Sequence, residues 1–257
     1  MQLQILVALY AAVLGLIVGS YLNVVIYRLP LGISTVTPRS RCPACGAAIR
    51  PWDNVPVVSW LLLGGRCRAC RAKISWRYPA VEAFTSLLFV ASFLRFGWSA
   101  ATPAAALFCC LMVALAMIDF DHMILPDRIT LPGIAVGLAL QPWLPWGGLR
   151  QAVIGAVLGA AILLAVWGGW YLIRKEEGMG LGDVKMLALM GAFLGWKGVL
   201  VALFFGTLTG AVAGVALMRW GTLDMRSKLP FGTFLALGGL IALFFGQPLA
   251  DYYAGLL

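Results

Sequence analysis

The chain has 257 residues, of which 62% are hydrophobic and 11% charged, with a net charge of +9. So few charges cannot cover a water-facing surface, which excludes an ordinary soluble domain. The positive balance reflects loop placement rather than a nucleic-acid partner, because Lys and Arg collect in the cytoplasmic loops of membrane proteins.

Apolar runs of about 18 or more residues read as spanning helices. Here they are continuous and Leu/Ala-rich, unlike the alternating ten-residue segments of a β-barrel. Eight spans are predicted, at residues 3–27, 79–97, 102–119, 129–146, 150–173, 183–195, 197–219 and 229–249. Pro103, Pro126, Pro142, Pro145 and Pro230 punctuate them, and a subtler break at Gly195-Trp196-Lys197-Gly198 separates the sixth from the seventh. The first span lacks a basic start and runs into Tyr27-Arg28-Leu29-Pro30 without a small-residue cleavage site, so it reads as a retained helix. With the N-terminus outside, sixteen of the 19 Lys and Arg residues fall on the cytoplasmic side; Arg95, Arg150 and Lys197 stay outside. The expected architecture is an all-α polytopic membrane protein of about eight transmembrane helices with a small cytoplasmic zinc-binding loop domain. Its parts are a first helix (1–27), a zinc-ribbon-like loop (28–78) and a transmembrane core (79–257).

The loop contains Cys42-x-x-Cys45 and Cys67-x-x-Cys70, separated by 21 residues. Two such pairs read as a zinc ribbon, each forming a tight turn that aims two thiolates at one ion. Four thiolates close the shell, which marks a structural rather than catalytic metal. Two disulfides are the competing reading, and a reducing cytoplasm disfavours them. Cys109 and Cys110, inside the third span, read as small apolar residues.

The ten acidic residues can be weighed singly. Asp119, Asp121 and Asp127 follow the third span at its cytoplasmic boundary, and Asp183 opens the sixth at the same depth. Ionisable groups at membrane depth are costly and usually functional. Two neighbouring carboxylates can share one proton, the ionised one activating water and the protonated one polarising a scissile carbonyl. Asp183 is also a plausible helix N-cap, and Asp127, behind Pro126, fits a cap better than a catalyst. Asp121 and His122 read as wet, and Glu176 and Glu177 as a solvated cluster beside Arg174 and Lys175. Glu82 reads as a helix-start acid, a partner of Arg77 or part of a second activity. Three glycines, Gly178, Gly180 and Gly182, precede Asp183. They leave room for an extended peptide backbone beside the carboxylate.

Six segments taken together resemble the bacterial type IV prepilin peptidases. They are Gly19 to Pro30, the paired Cys loop, Asn54 to Cys70, Arg77 to Glu82, Ile118 to Asp127 and Gly178 to Lys185. The Gly-x-Gly-Asp segment also resembles the intramembrane aspartic proteases that include presenilin. The resemblance implies a bifunctional enzyme of the bacterial inner membrane. It implies cleavage of the basic leader of type IV prepilins or pseudopilins at the cytoplasmic face, after a glycine, in support of pilus biogenesis or type II secretion. It implies methylation of the new α-amino group with S-adenosylmethionine. The catalytic pair carries over to Asp119 and Asp183, with Gly180 and Gly182 as supporting backbone. Tyr21 stands where Phe is common. The resemblance puts methyl transfer near the cytoplasmic loop and first span without naming residues, and no Rossmann-type glycine loop is present to hold the cofactor.

Overall fold

The computed structural model describes residues 2–145, 147–175, 179–220 and 229–254. Its helices are α1 (Gln2–Arg28), the short α2 (Val58–Leu62), α3 (Arg77–Phe96), α4 (Ala101–His122), α5 (Asp127–Leu140), α6 (Gly148–Arg174), α7 (Leu181–Arg219) and α8 (Phe231–Ala254). Runs of Leu, Ala and Gly form helices that pair their interior backbone groups within the segment, as a bilayer demands. Six of these helices are long and apolar enough to cross a membrane. The chain divides into two compact units, residues 1–114 and 115–257, so the division falls within α4.

In the first unit α1 lies against α3. Gly15 and Gly19 are spaced four apart on the contact face. A Cβ on Gly15 would stand 2.6 Å from Ser86 Cα, and one on Gly19 would stand 2.7 Å from Glu82 Cα. Such small-xxx-small faces let helix backbones approach in a membrane. Ser86 Oγ donates to Ala12 O at 2.9 Å, and Asn23 Nδ2 donates to Tyr78 O at 3.1 Å.

The loop between these helices is built from two copies of one turn. Arg41–Ile49 and Arg66–Ile74 align as R-C-x-A-C-x-A-x-I. In the first copy the Cys42 amide donates to Ala47 O and the Gly46 amide to Cys42 O. In the second, the Cys67 amide donates to Ala72 O and the Arg71 amide to Cys67 O. Gly46 and Arg71 occupy the same position, both with positive φ, at 71° and 61°. The second copy thus accepts, on a non-glycine residue, a conformation glycine adopts freely.

Between the copies runs a single 3₁₀ turn, Pro51–Asn54, followed by α2. Val57 there has φ 59° and ψ −51°, and the Val58 amide closes onto Pro56 O at 2.6 Å. That is a γ-turn centred on a β-branched residue in the positive-φ region, a strained arrangement that must be held from outside.

The second unit carries α5 to α8 and the end of α4. Drawn straight, the 39 residues of α7 would measure about 58 Å, nearly twice a bilayer core of about 30 Å. Gly195 breaks it, with φ 70° and ψ −179°, a conformation essentially confined to glycine. Beyond the break, Ala202 O lies against Gly238, Gly206 against Leu235 and Gly214 against Leu229, so this half runs antiparallel to α8. The N-terminal half begins at Asp183, whose partner Asp119 also contacts the start of α8. Both ends of α7 therefore return to the same end of the unit, and the chain doubles back at Gly195. The two predicted spans 183–195 and 197–219 are the halves of this one broken helix. With α5, whose 14 residues cover only about 21 Å, the helices correspond to the eight expected segments.

Candidate active site

Asp119 lies in the last turn of α4 and is 5% exposed. Its Oδ2 accepts the Thr233 amide at 2.9 Å, and the Gly232 amide adds a second bond. Gly232 and Thr233 are the second and third residues of α8, whose first amides have no partner within the helix. The carboxylate therefore sits at the positive end of the α8 dipole. Thr233 Oγ1 donates to Ala116 O at 2.9 Å and stands 3.4 Å from Asp119 Oδ2.

Asp183 is the third residue of α7 and is 7% exposed. The N-cap position belongs to Gly180, in extended conformation, so Asp183 is not the cap residue. Its carboxylate accepts the Gly180 amide from within, the reciprocal half of a capping box, and it also lies within electrostatic range of Asp119. Capping and pairing are thus compatible roles. Each aspartate takes amide donors from a different helix start, Asp119 from α8 and Asp183 from its own α7.

Leu125, in the connection after α4, closes one wall. A Cβ on Gly182 would meet Leu125 Cβ at 2.8 Å. One on Gly232 would meet Leu125 Cδ1, Asp119 Cγ and Asp119 Oδ2, each at 3.0 Å. Gly180 is open by comparison, its nearest neighbours at 3.8 and 4.0 Å being Gly182 N and Asp183 Oδ2. Gly182 therefore makes room for Leu125, while a Cβ on Gly180 would meet only ordinary contacts among the described residues.

The other acids take lesser places. Asp121 and His122 are exposed, as their sequence position suggests. Asp127 is the first residue of α5 behind an uncapping Pro126, and Lys185 Nζ meets its Oδ1 at 2.6 Å, an exposed tie from α5 to α7. Glu176, Glu177 and Gly178 fall outside the described residues.

In the first unit the Sγ atoms of Cys42, Cys45, Cys67 and Cys70 all lie within 4.8 Å of one another, and Cys42 Sγ is 3.9 Å from Cys70 Sγ. All four are free thiols. The doubled turn converges two sulfurs from each copy on one point, an arrangement suited to a metal ion. Amides of Cys70 and Ala69 bonded to Cys67 sulfur draw that thiol down to about 7, while the neighbouring Cys45 thiol and burial push Cys70 up to about 11. Beside this cluster, Arg68 grips Asp53 through Nε and Nη2 at 2.7–3.0 Å, and this guanidinium holds the carboxyl below its usual range.

Glu82 is not at the start of α3 but in its second turn, 7% exposed and facing α1. Its Oε2 accepts the amide of the strained Val57 at 2.7 Å, and its carboxylate accepts the Ser20 hydroxyl.

The residues that sequence reasoning missed are Leu125, Gly232 and Thr233. The available signal was the Gly-Thr pair just behind Pro230, where a helix start leaves amides to donate.

Residues 13–96 match the bacterial Peptidase A24 N-terminal domain and residues 106–215 the Type IV leader peptidase family. A prepilin leader peptidase/N-methyltransferase of Burkholderia pseudomallei is 39% identical over 264 residues, 93% of this chain and 85% of that protein. One of Pseudomonas aeruginosa is 39% identical over 265 residues, 93% of this chain and 91% of its own length. One of Myxococcus xanthus is 45% identical over 214 residues, 83% of this chain and 64% of its own. No solved structure matches the chain.

Proposed function

From the premise that this chain belongs to the prepilin leader peptidase/N-methyltransferase family, we propose that Asp119 and Asp183 cleave the basic leader from type IV prepilins or pseudopilins, and that the same enzyme then methylates the new α-amino group. The observation that carries the reading is the buried pair itself: two carboxylates at one end of one unit, each held by amides of a helix start.

Two buried carboxylates within electrostatic range of one another divide one proton between them. The ionised member takes a proton from water as its oxygen attacks the scissile carbonyl, while the protonated member donates to the carbonyl oxygen. Collapse breaks the C–N bond, and the proton passes to the leaving amine. Both groups lie at helix ends rather than mid-helix, where a relay through the bilayer would place them. The substrate's apolar helix lies in the bilayer with its leader in the cytoplasm, so the bond to be cut meets the pair at the interface. The basic loops set that orientation in the bacterial inner membrane.

Cys42, Cys45, Cys67 and Cys70 hold zinc. A tetrahedron of thiolates around zinc has sulfurs about 3.8 Å apart, and the 3.9 Å between Cys42 and Cys70 Sγ fits it. Four protein ligands leave no position for water, so this metal shapes the loop and takes no part in hydrolysis. The methyl donor is S-adenosylmethionine.

Asp119→Asn and Asp183→Asn should each lower cleavage of a prepilin in membranes by at least about 10³-fold, with expression and zinc content unchanged. Normal processing by either variant refutes the pair.

A further inference from the structure

The first unit contains a cavity of about 780 Å³, in the upper part of the roughly 300–1,000 Å³ range of small-molecule sites. Its wall includes both Cys turns, the Val57 γ-turn and the facing ends of α1 and α3. None of these residues belongs to the aspartate pair.

Three features of this cavity point to one chemistry. Glu82 lines it and is buried, yet the donors it accepts from, the Val57 amide and Ser20 hydroxyl, carry no charge. A carboxylate taken out of water among neutral donors favours a cation beside it. Around the same cavity Arg41, Arg50 and Lys73 are exposed, which places positive charge at the outer edge. Tyr27 and Tyr78 also line it and are 58% and 43% exposed, which supplies aromatic surface suited to a planar base. The fitting ligand has a cationic centre, an anionic end and an aromatic base.

We infer that this cavity binds the methyl donor, S-adenosylmethionine, with Glu82 facing the sulfonium and the basic edge facing the ligand's carboxylate. The inference rests on the methyl-transfer reading above and adds its site. The acceptor nitrogen bonds the methyl carbon as the S–CH₃ bond breaks, the sulfonium becomes a neutral thioether, and the amine's surplus proton leaves to water. The Val57 turn has a place in this scheme. Strain is retained where surroundings over-determine it, and here one carboxylate both holds the turn and faces the ligand.

The test titrates the full chain in lipid nanodiscs with S-adenosylmethionine and with S-adenosylhomocysteine, which lacks the sulfonium charge. Glu82→Gln keeps an acceptor for the Val57 amide and removes the charge. It should weaken S-adenosylmethionine by about tenfold or more, and S-adenosylhomocysteine by less than about threefold. Tyr27→Ala, at an exposed side chain, should weaken both ligands alike, by about fivefold or more. Zinc content and melting temperature report the fold, and if Glu82→Gln does not fold, Tyr27→Ala decides alone. Unchanged binding in the variants, or equal loss of both ligands in Glu82→Gln, overturns the assignment. A parent protein that cleaves prepilin but binds neither ligand overturns the methyl-transfer reading instead.

Discussion

The Thr233 amide donates to Asp119 Oδ2 at 2.9 Å, joining the last turn of α4 to the first turn of α8 across 114 positions of sequence. Asp119 is thereby fixed by the backbone of another helix, with Gly232 pressed so close that a methyl group there would stand 3.0 Å from Oδ2. Gly232→Ala should push the carboxylate aside. A misplacement of about 1 Å costs on the order of 10²-fold in rate, so kcat should fall by about that factor with KM little changed. Thr233→Val keeps the amide and removes the hydroxyl bond to Ala116 O together with the longer 3.4 Å hydroxyl contact to Asp119 Oδ2. It should cost about 1 kcal/mol of stability and less than about tenfold in kcat. Steady-state cleavage of a purified prepilin separates the two, and equal losses would mean that the amide is not what positions Asp119.

Much of this arrangement was legible in the sequence, because hydropathy and charge report directly on a bilayer. The long apolar helices, the two Cys-x-x-Cys turns and the choice of Asp119 and Asp183 as candidates follow from local pattern. What was not legible depends on contact between distant segments. Gly232 and Thr233 look like any helix start until α4 is laid against it. Asp183 looks like an N-cap until Gly180 is seen to hold that position. Glu82 looks like a first-turn acid, but α3 begins at Arg77 and carries it inward to face α1.

Gly182 offers a test of what its missing side chain is for. Its place is taken by Leu125, 2.8 Å from where a Cβ would stand. If the glycine serves this packing, Gly182→Ala should lower cleavage by about tenfold or more. Adding Leu125→Ala should then restore part of it, giving a coupling of about 0.5–3 kcal/mol. Additive losses in the double variant would assign Gly182 to substrate contact.

The four-Cys cluster makes a prediction about order of loss. A closed thiolate shell supplies folding energy to the loop and no Lewis acid to the aspartates. Stripping the metal with a chelator should therefore lower the melting temperature and abolish methylation before cleavage fails. Cys42→Ser should show the same sequence of effects. The measurement is parallel time courses of zinc content, methylation and cleavage after chelator addition. Immediate loss of cleavage from a still-folded, metal-stripped enzyme would contradict a purely structural metal.

Gln141 provides a prediction at the far end of the unit. It is 2% exposed, and its Nε2 donates to Ala192 O at 2.7 Å and Phe193 O at 3.2 Å. Those carbonyls lose their helical partners because α7 breaks at Gly195. With no water in the bilayer core to replace them, the side chain closes the end of the first half of α7. Gln141→Leu fills similar space without donors, leaving buried acceptors unpaired at about 1–3 kcal/mol. The melting temperature should fall clearly. Asp183 lies at the opposite end of that half-helix, about 18 Å away along its axis, so kcat for cleavage measured below the melting transition should stay within about twofold. A variant as stable as the parent would show that the doubled-back helix does not depend on this amide, and a stable variant with lost cleavage would show that the break at Gly195 is coupled to the aspartates.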